Sequence, residues 1–311
     1  MNLQQLEYIV AVDITRHFVS AAERCFVTQA TLSMMIKKLE EELGVVIFDR
    51  SKQPVVPTET GQRLIEQAQT ILHEINRMKE IVQEEKDEVR GTLKLGIIPT
   101  LAPYLLPLFL RAFMKKYPLV NLQIFEMITD TAIQKLKQNE LDIAIMATPV
   151  NNAALREEPL FYEQFVVYAS SDEKLMKKKY LLADDIDVNR LWLLEEGHCL
   201  RSQVINLCEL KKREKEAHRF DFETGSIETL KKLVDTYNGV TILPELALND
   251  LTPEQREHIR FFRSPAPVRE ISLVTYRHFV KKRLVEALRD IILQNVSPEM
   301  RSPLKKMVTE I

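Results

Sequence analysis

The chain has 311 residues, 45% of them hydrophobic and 28% charged, so it is long enough for two or three domains that each bury a core. Its 43 lysines and arginines are balanced by 45 aspartates and glutamates, which excludes a generally basic protein that coats nucleic acid. The seven glycines are not clustered as a dinucleotide fingerprint or a P-loop requires, and no two histidines have the H-x-x-x-H spacing of a metal site. We therefore predict a protein without a cofactor or a metal.

Cysteine usage and the N-terminus favour the cytoplasm. The three cysteines, Cys25, Cys199 and Cys208, are too few for a secreted disulfide framework. The first ten residues, MNLQQLEYIV, contain no basic region or cleavage site of a signal peptide. The longest apolar stretch, 101–110, is too short to cross a membrane and contains two prolines. We predict a cytoplasmic protein without a membrane partner and with reduced thiols.

The first 58 residues predict a small helical domain with a β-hairpin. Predicted helices cover 2–13, 20–26 and 27–44, and the hairpin covers 45–58. Ser20 is the expected N-cap of the second helix, and the third is expected to start at Thr28 and end at Gly44. The inner face of the third helix has four members: Leu32, Ile36, Leu39 and Leu43. Three short helices and a wing are typical of a winged helix-turn-helix.

The start of the third helix suits DNA, although residues 1–60 carry six basic and eight acidic side chains. The acids cluster at 40–42, at the far end of that helix, and its first turns are free of acids. Hydroxyls, amides and helix N-terminal N–H groups suit contacts with phosphates and base edges. The predicted DNA contacts are Thr28, Gln29, Thr31, Ser33, Lys37, Lys38, Arg50 and Lys52. The alternative is an ordinary polar surface helix.

Residues 58–88 predict one long helix, because they contain no glycine after Gly61 and are rich in helix formers. Apolar residues recur along it at alternating steps of four and three, which is a heptad pattern. The stripe consists of Leu64, Ala68, Ile71, Ile75, Met78 and Val82. We expect this stripe to pack against a second copy of the helix. The alternative is an amphipathic helix that covers the chain's own core.

From Gly91 onwards, strands alternate with helices. The first five predicted elements are a strand at 92–98, a helix at 99–118, a strand at 120–126, a helix at 130–142 and a strand at 143–147. Further strands are predicted at 165–170, 191–194, 239–244 and 271–276, with helices at 226–237 and 279–295. This order predicts two α/β lobes with a mostly parallel sheet, the chain crossing between them near 163 and 266. Ligands of such folds bind at strand ends and lobe junctions.

The segment EEGHCLRSQVINLC, at 195–208, is a candidate thiol site. His198 and Arg201 flank Cys199, and neighbouring cations lower the pKa of a thiol and favour its reactive thiolate. The polar, glycine-containing segment also predicts that Cys199 is hard to bury completely. The alternative is that both cysteines are small buried hydrophobes. If 201–208 is helical, about 13 Å of helix separates Cys199 from Cys208, so a disulfide, whose Cα atoms are about 4.4–6.8 Å apart, would require refolding.

The N-terminal region resembles the LysR-type transcriptional regulators. The matching residues are Ala21, Ala22, Thr28, Gln29, Ser33, Leu39, Glu40, Leu43, Gly44, Phe48, Arg50, Pro57, Thr58 and Gly61. A departure is Met34–Met35, where many members carry polar or basic residues. The resemblance implies a winged helix-turn-helix that binds double-stranded DNA, a dimerising linker helix and a two-lobed effector domain like periplasmic binding proteins, usually in tetramers. It also implies RNA polymerase as a partner.

The resemblance also implies domain limits. The DNA-binding domain would cover 1–58, the linker helix 59–90 and the regulatory domain 91–311. Lobe I would then comprise 91–163 and 267–300, and lobe II 164–266.

The run G-H-C-L-R, with a cysteine seven residues later, is similar to the redox segment of the hydrogen-peroxide-sensing members of this family. The similarity continues through 224–234 and 240–244. It implies Cys199 as the peroxidatic thiol, Cys208 as the resolving thiol and a thiol reductant that resets them. The supporting residues would be Thr100, Thr129, His198, Arg201 and Arg269. Ser202 departs from the pattern, since an aspartate commonly follows the arginine.

Two other functions remain open at this point. The first is a LysR-type regulator that binds a small organic inducer between its lobes, with both cysteines incidental. The second is a thiol peroxidase, which would share the thiol site but would not need a winged helix or a heptad helix. We predict a peroxide-responsive regulator and not an enzyme.

Overall fold

The computed structural model describes residues 1–84, 88–170, 174–187, 190–208, 224–277, 279, 281–302 and 306–309. The chain forms two compact units, Met1–Lys86 and Asp87–Ile311, and each has its own hydrophobic core. The first unit is helical with a small hairpin, and the second is a mixed sheet with helices, so the predicted α/β fold class is confirmed.

The first unit opens with three helices and a hairpin: α1 Leu3–Thr15, α2 Phe18–Arg24, α3 Gln29–Leu43, β1 Phe48–Asp49 and β2 Val56–Pro57. Local signals set the ends of α3. The Thr28 side chain accepts a hydrogen bond from the backbone of Thr31, and Gly44 leaves the helix with a left-handed φ of 68°. The two short strands pair antiparallel. The predicted winged helix-turn-helix is therefore confirmed.

Two details of this unit differ from the prediction. Ser20 is not an N-cap, because α2 begins at Phe18, whose ring packs edge-on against Phe48 with the centroids 6.2 Å apart. Leu43 is 39% exposed instead of buried, because α3 ends there and its buried face stops at Leu39. Packing of an aromatic side chain thus decides where α2 starts, and no capping residue signals it.

The long helix α4, Glu59–Glu84, begins by packing on the first unit's own core. Ala68 is fully buried there, and Leu64 and Ile71 pack against the same core, so the first half of the heptad stripe already covers the unit's own core, mainly at α1. Gly61 permits this approach, since a Cβ at that position would lie 2.0 Å from the Ile47 carbonyl oxygen. Further along, Met78 is exposed, and the Val82 side chain lies outside the described residues. The predicted contact between copies therefore concerns mainly the second half of α4.

Nine strands lie in the described residues of the second unit. They are β3 Gly91–Ile97, β4 Val120–Glu126, β5 Ile143–Thr148, β6 Leu155–Ala169, β7 Tyr180–Leu181, β8 Val240–Pro244, β9 Ile259–Phe262, β10 Ala266–Tyr276 and β11 Lys306–Val308. Its α-helices are α5 Ala102–Lys116, α6 Thr129–Lys137, α7 Cys199–Leu207, α8 Ile227–Tyr237, α9 Pro253–Glu257 and α10 Lys282–Asn295. Short 3-10 helices cover Lys174–Lys177, Ala183–Asp185, Glu245–Asp250 and Pro298–Arg301.

The sheet begins with the predicted parallel β-α-β-α-β unit. Its order is β4-β3-β5-β10-β6-β9-β7, with β11 beside β10 and β8 beside β6. The strands β3, β4 and β5 are parallel, whereas β10 runs antiparallel to both β5 and β6. The helix α6 ends at Lys137, earlier than the predicted end at 142, and Asn139 follows it with a left-handed φ of 56°. The carboxyl ends of β3 and β5 therefore lie side by side.

Two long strands, β6 and β10, lie side by side in the middle of the sheet. The strand β6 pairs with β10 along 155–164 and with β8 and β9 along 165–169, so it changes partners within its length. The sequence predicts only the second half of β6, because the first half carries the charged run 156–158 and lacks a strand-like apolar pattern. Likewise, β10 starts at Ala266 and not at 271.

Other sequence predictions in this unit need correction. The predicted strand at 191–194 forms only a single bridge, between Leu191 and Val240. The predicted elements do not include β7, β9, β11 or α9, because such short segments carry weak periodicity. None of the described helices has the length and apolar character needed to span a membrane.

Candidate functional site

Cys199 is the first residue of α7 and lies in the core of the second unit. The turn before it needs Gly197, whose φ of 91° is strained for any side chain and whose Cβ would meet Ile128. The thiol is free and only 5% of the residue is exposed. The expectation that Cys199 is hard to bury is therefore wrong, because α7 turns this residue inwards despite the polar sequence around it.

Opposing effects act on the Cys199 thiol. Burial has the largest effect and leaves its pKa above the ordinary value of 9.0. The Arg269 guanidinium lowers this pKa, followed by hydrogen bonds from the Thr129 hydroxyl and from the backbones of Leu200 and Ala147. The resting thiol is therefore protonated, and the groups that stabilise its thiolate already surround it.

The cations next to Cys199 in sequence have partners of their own. His198 is buried, but its Nε2 lies 3.5 Å from Glu195 Oε1. Arg201 donates from Nη1 to the Leu194 carbonyl oxygen at 2.6 Å. The cation with the largest lowering effect on the Cys199 pKa is instead Arg269, which is distant in the sequence.

Arg269 is a fully buried cation with well-defined partners. Its Nε and Nη2 each lie 2.8 Å from Glu163 Oε2, and Nη1 donates to Thr100 Oγ1 at 3.0 Å. The other oxygen of Glu163 accepts the Leu246 backbone N–H at 2.8 Å. Because a buried guanidinium needs a counter-charge, Glu163 is part of the site. Sequence analysis missed Glu163, since 106 residues separate it from Arg269 and no local motif marks it.

The threonines reach the site from two different strand ends. Thr100 follows β3 and is buried, and both its hydroxyl and its carbonyl oxygen bind Arg269. Thr129 is the first residue of α6, and its buried hydroxyl has no oxygen or nitrogen partner among the described residues. The tertiary structure thus brings Thr100, Thr129 and Arg269 to one buried site with Cys199. Such a site offers donors to a small polar molecule.

Cys208 lies at the other end of the same helix. It is the C-cap residue of α7, is 1% exposed and is not part of a disulfide. Nine helical steps separate Cys199 from Cys208, which corresponds to about 13 Å along the axis. A disulfide needs Cα atoms about 4.4–6.8 Å apart. The two sulfurs therefore cannot be joined while α7 is intact.

The surface predicted for DNA lies around α3 and the wing. Its members Thr28, Gln29, Lys37, Lys38, Arg50 and Lys52 are exposed, whereas Thr31 and Ser33 are half-buried. Arg50 donates to Ser33 Oγ at 3.3 Å and to Glu40 Oε2 at 3.0 Å, which fixes the wing against the helix. The Glu40 partner reduces the charge that Arg50 offers to phosphate.

The structure offers no obvious metal centre in the parts of the chain that it describes. No group of three or more histidine, cysteine, aspartate or glutamate side chains comes together there in an arrangement that could hold an ion.

Two family models match the chain: "Bacterial regulatory helix-turn-helix protein, lysR family" at residues 3–62 and "LysR substrate binding domain" at 86–297. The hydrogen peroxide-inducible genes activator of Haemophilus influenzae is 35% identical over 88% of this chain and 90% of its own length. The transcriptional dual regulator OxyR of Escherichia coli is 33% identical over 99% of this chain and 100% of its own length.

Solved structures of OxyR proteins are also similar to this chain. Full-length OxyR from Pseudomonas aeruginosa, with a cysteine-to-aspartate substitution, is 35% identical with a TM-score of 0.76, and the match covers 95% of this chain and 99% of that one. A cysteine-to-serine variant of Corynebacterium glutamicum OxyR with bound hydrogen peroxide is 27% identical with a TM-score of 0.61, covering 94% and 92%.

Proposed function

Because this chain belongs to the LysR family of DNA-binding transcription regulators, which is not a family of enzymes, we propose that it senses hydrogen peroxide through Cys199 and controls transcription by remodelling α7. The observation that carries this proposal is the buried Cys199 thiol in the core of the second unit, with the Arg269 guanidinium and the Thr129 hydroxyl beside it, which lower its pKa against the larger effect of burial. The similarity to a hydrogen peroxide-inducible genes activator and to an OxyR variant with bound hydrogen peroxide supports it.

The first step is oxidation of one thiol. The Cys199 thiolate attacks one peroxide oxygen, the O–O bond breaks, and the released hydroxide takes a proton to become water. The sulfur is oxidised to a sulfenic acid and the peroxide is reduced. Arg269 and the Thr100 and Thr129 hydroxyls hold the peroxide and stabilise the leaving oxygen. Because the resting thiol is buried, large oxidants cannot reach it.

The second step joins the two cysteines. The Cys208 thiol attacks the sulfenic sulfur of Cys199, an S–S bond forms, and the sulfenic oxygen leaves as water. Since intact α7 keeps the sulfurs apart, this step requires the helix to unwind. Closing a ring of about ten residues contributes about 2.5–3 kcal/mol in the chain-entropy model, enough to bias a two-state element. A thiol reductant returns two electrons and restores α7.

The oxidised segment would act on DNA through the assembly of copies. The second half of α4 pairs with a partner copy, and dimers associate into tetramers in the cytoplasm. The domain limits are 1–58 for DNA binding, 59–90 for the linker and 91–311 for regulation. Half-site spacing mirrors subunit geometry, so a rearrangement of regulatory domains changes which half-sites are contacted and how RNA polymerase is engaged.

The proposal is tested by combining mass spectrometry with footprinting. The reduced full-length protein receives less than one equivalent of hydrogen peroxide, and a disulfide between Cys199 and Cys208 is expected. The reduced and oxidised forms should then give different footprints on the same promoter DNA. A Cys199→Ser variant is the matched control and should give the reduced footprint throughout. An absent disulfide together with identical footprints overturns the proposal.

A small organic inducer remains a second candidate. One observation favours it: residues 86–297 match the family model "LysR substrate binding domain". Folds of this kind bind small ligands at strand ends and lobe junctions. A Cys199→Ser protein that still answers its signal in cells would favour the inducer and not peroxide.

A further inference from the structure

The strand β11 lies directly beside the part of β10 that carries Arg269. The strand β11 pairs in parallel with the first residues of β10, with Val308 opposite Val268. The next residue, Thr309, donates its backbone N–H to the Val268 carbonyl oxygen at 2.8 Å and is itself buried. Since Arg269 follows Val268 on β10, this C-terminal strand supports the backbone that carries the buried guanidinium.

The same strand also holds α7. Gln203 is fully buried and lies four residues after Cys199, on the same face of the helix. Its Nε2 donates to the Thr309 carbonyl oxygen at 3.2 Å. One C-terminal residue thus connects the helix that carries the reacting thiol to the strand that carries its cation.

We propose that Gln203 is a positioning residue whose hydrogen bond to Thr309 holds α7 helical and must break before Cys208 reaches Cys199. The inference rests on the proposed function and deepens it, because it assigns control of the second step to the C-terminal strand. Unwinding of α7 moves Gln203 away from Thr309, so the energy of this buried bond is part of the barrier. The first step, formation of the sulfenic acid, leaves α7 intact and does not break the hydrogen bond between Gln203 and Thr309.

The bond is suited to being released. Gln203 Oε1 and Thr309 Oγ1 are both buried without a hydrogen-bond partner among the described residues. A buried acceptor without a partner is costly, and it regains hydrogen bonds when it reaches water. Unwinding of α7 therefore loses one bond and frees an unsatisfied oxygen at the same residue. The lost bond and the freed oxygen offset each other in part. The helix α7 is therefore stable at rest and can unwind after Cys199 has been oxidised.

Two variants remove the connection from opposite sides. Gln203→Met keeps the length and volume of the side chain but has no N–H donor. Thr309→Pro removes the N–H that anchors the strand to Val268. Two matched controls leave the bond in place. Thr309→Ala removes only the hydroxyl without a partner, and Ser202→Ala changes a neighbouring polar residue on α7. Circular dichroism and thermal unfolding confirm that each full-length variant is folded.

The two steps are measured separately. The rate of sulfenic acid formation is followed with a dimedone-type trap in a Cys208→Ser background, and the rate of disulfide formation by rapid quenching with an alkylating agent. We expect Gln203→Met to change the first rate by less than about twofold, and both Gln203→Met and Thr309→Pro to accelerate the second about three- to tenfold, the range of one buried hydrogen bond. The equilibrium against dithiothreitol should shift towards the disulfide, and both controls should match the wild type.

Each contrary result has a defined meaning. Disulfide formation at the wild-type rate in both variants overturns the inference while leaving the proposed function intact. A loss of sulfenic acid formation in Gln203→Met also overturns it, because Gln203 would then act on the thiol itself. A wild-type protein that never forms the 199–208 disulfide overturns the proposed function and this inference together.

Discussion

The residues proposed for DNA contact span positions 28–52 and lie mostly at the surface, whereas those around Cys199 come from positions 100, 129, 163 and 269 and are buried. Exposed charges interact weakly, because water and salt screen them. Buried charges and donors interact strongly and depend on one another. Single substitutions should therefore have large, coupled effects at the thiol site and small, additive effects on the DNA surface.

The largest effect is expected from Arg269→Met. It leaves Glu163 buried without its counter-charge, which costs about 3–5 kcal/mol of unfolding free energy. Urea denaturation of the full-length protein, followed in the second unit, measures the loss. The double variant Glu163→Leu with Arg269→Met removes both charges and should recover most of the stability. Equal losses in the single and double variants would contradict the coupling of this pair.

The pH dependence of the first oxidation step should also be large. Because burial raises the Cys199 pKa above 9.0, only a small fraction of the thiol is ionised near neutrality. The rate of sulfenic acid formation should therefore rise about tenfold per pH unit, roughly a hundredfold from pH 6 to pH 8. Stopped-flow measurements with hydrogen peroxide test this. A rate that is flat over this range would show that the thiol is already ionised.

The same pKa shift predicts a loss of stability in alkali. The unfolded thiol ionises from about pH 9.0, whereas the folded thiol keeps its proton to higher pH. The favourable contribution of the neutral thiol is thus complete below pH 9 and is lost as the pH rises towards the folded pKa. Cys199→Ala should remove this part of the pH dependence, and an unchanged profile in that variant would argue against it.

A smaller effect is expected from Thr129→Val, which keeps the shape of the side chain and removes the hydroxyl. A hydrogen bond to a charged group contributes about 1.5–3 kcal/mol, so the rate of sulfenic acid formation should fall about tenfold or more. Thr129→Ser should restore most of the rate. Equal rates in the valine and serine variants would show that the hydroxyl does not assist the reaction.

The smallest effect belongs to the DNA surface. Lys38→Ala removes one exposed cation of α3 and should weaken binding to all sequences by a few-fold. The slope of log affinity against log salt should decrease by about 0.9, the contribution of one phosphate contact. Fluorescence anisotropy over a salt series measures both quantities, with Lys116→Ala of α5 as the control. An unchanged slope would remove Lys38 from the interface.

Local patterns predicted the elements well where one stretch of chain carries the whole signal. The caps Thr28 and Gly44 fix α3, and alternating apolar runs gave β3, β4 and β5 within one or two residues. The prediction failed where contacts with residues distant in the sequence determine the element. The charged first half of β6 is a strand because β10 lies beside it, and α2 starts where Phe18 meets Phe48. Helical periodicity also did not show whether the α4 stripe packs against a second copy or against the same chain. Its first half packs on the core of the first unit.

The sequence by itself determined the order of the domains and, through resemblance, the candidate residues Thr100, Thr129 and Arg269. Only the tertiary structure decided which cation has the largest lowering effect on the Cys199 pKa: Arg269, seventy residues away, and not the adjacent His198 or Arg201. It alone revealed Glu163 and the Gln203–Thr309 bond. The reason is that helix caps and periodicity act through a few neighbouring residues, whereas burial and charge pairing depend on distances that exist only after the strands have assembled.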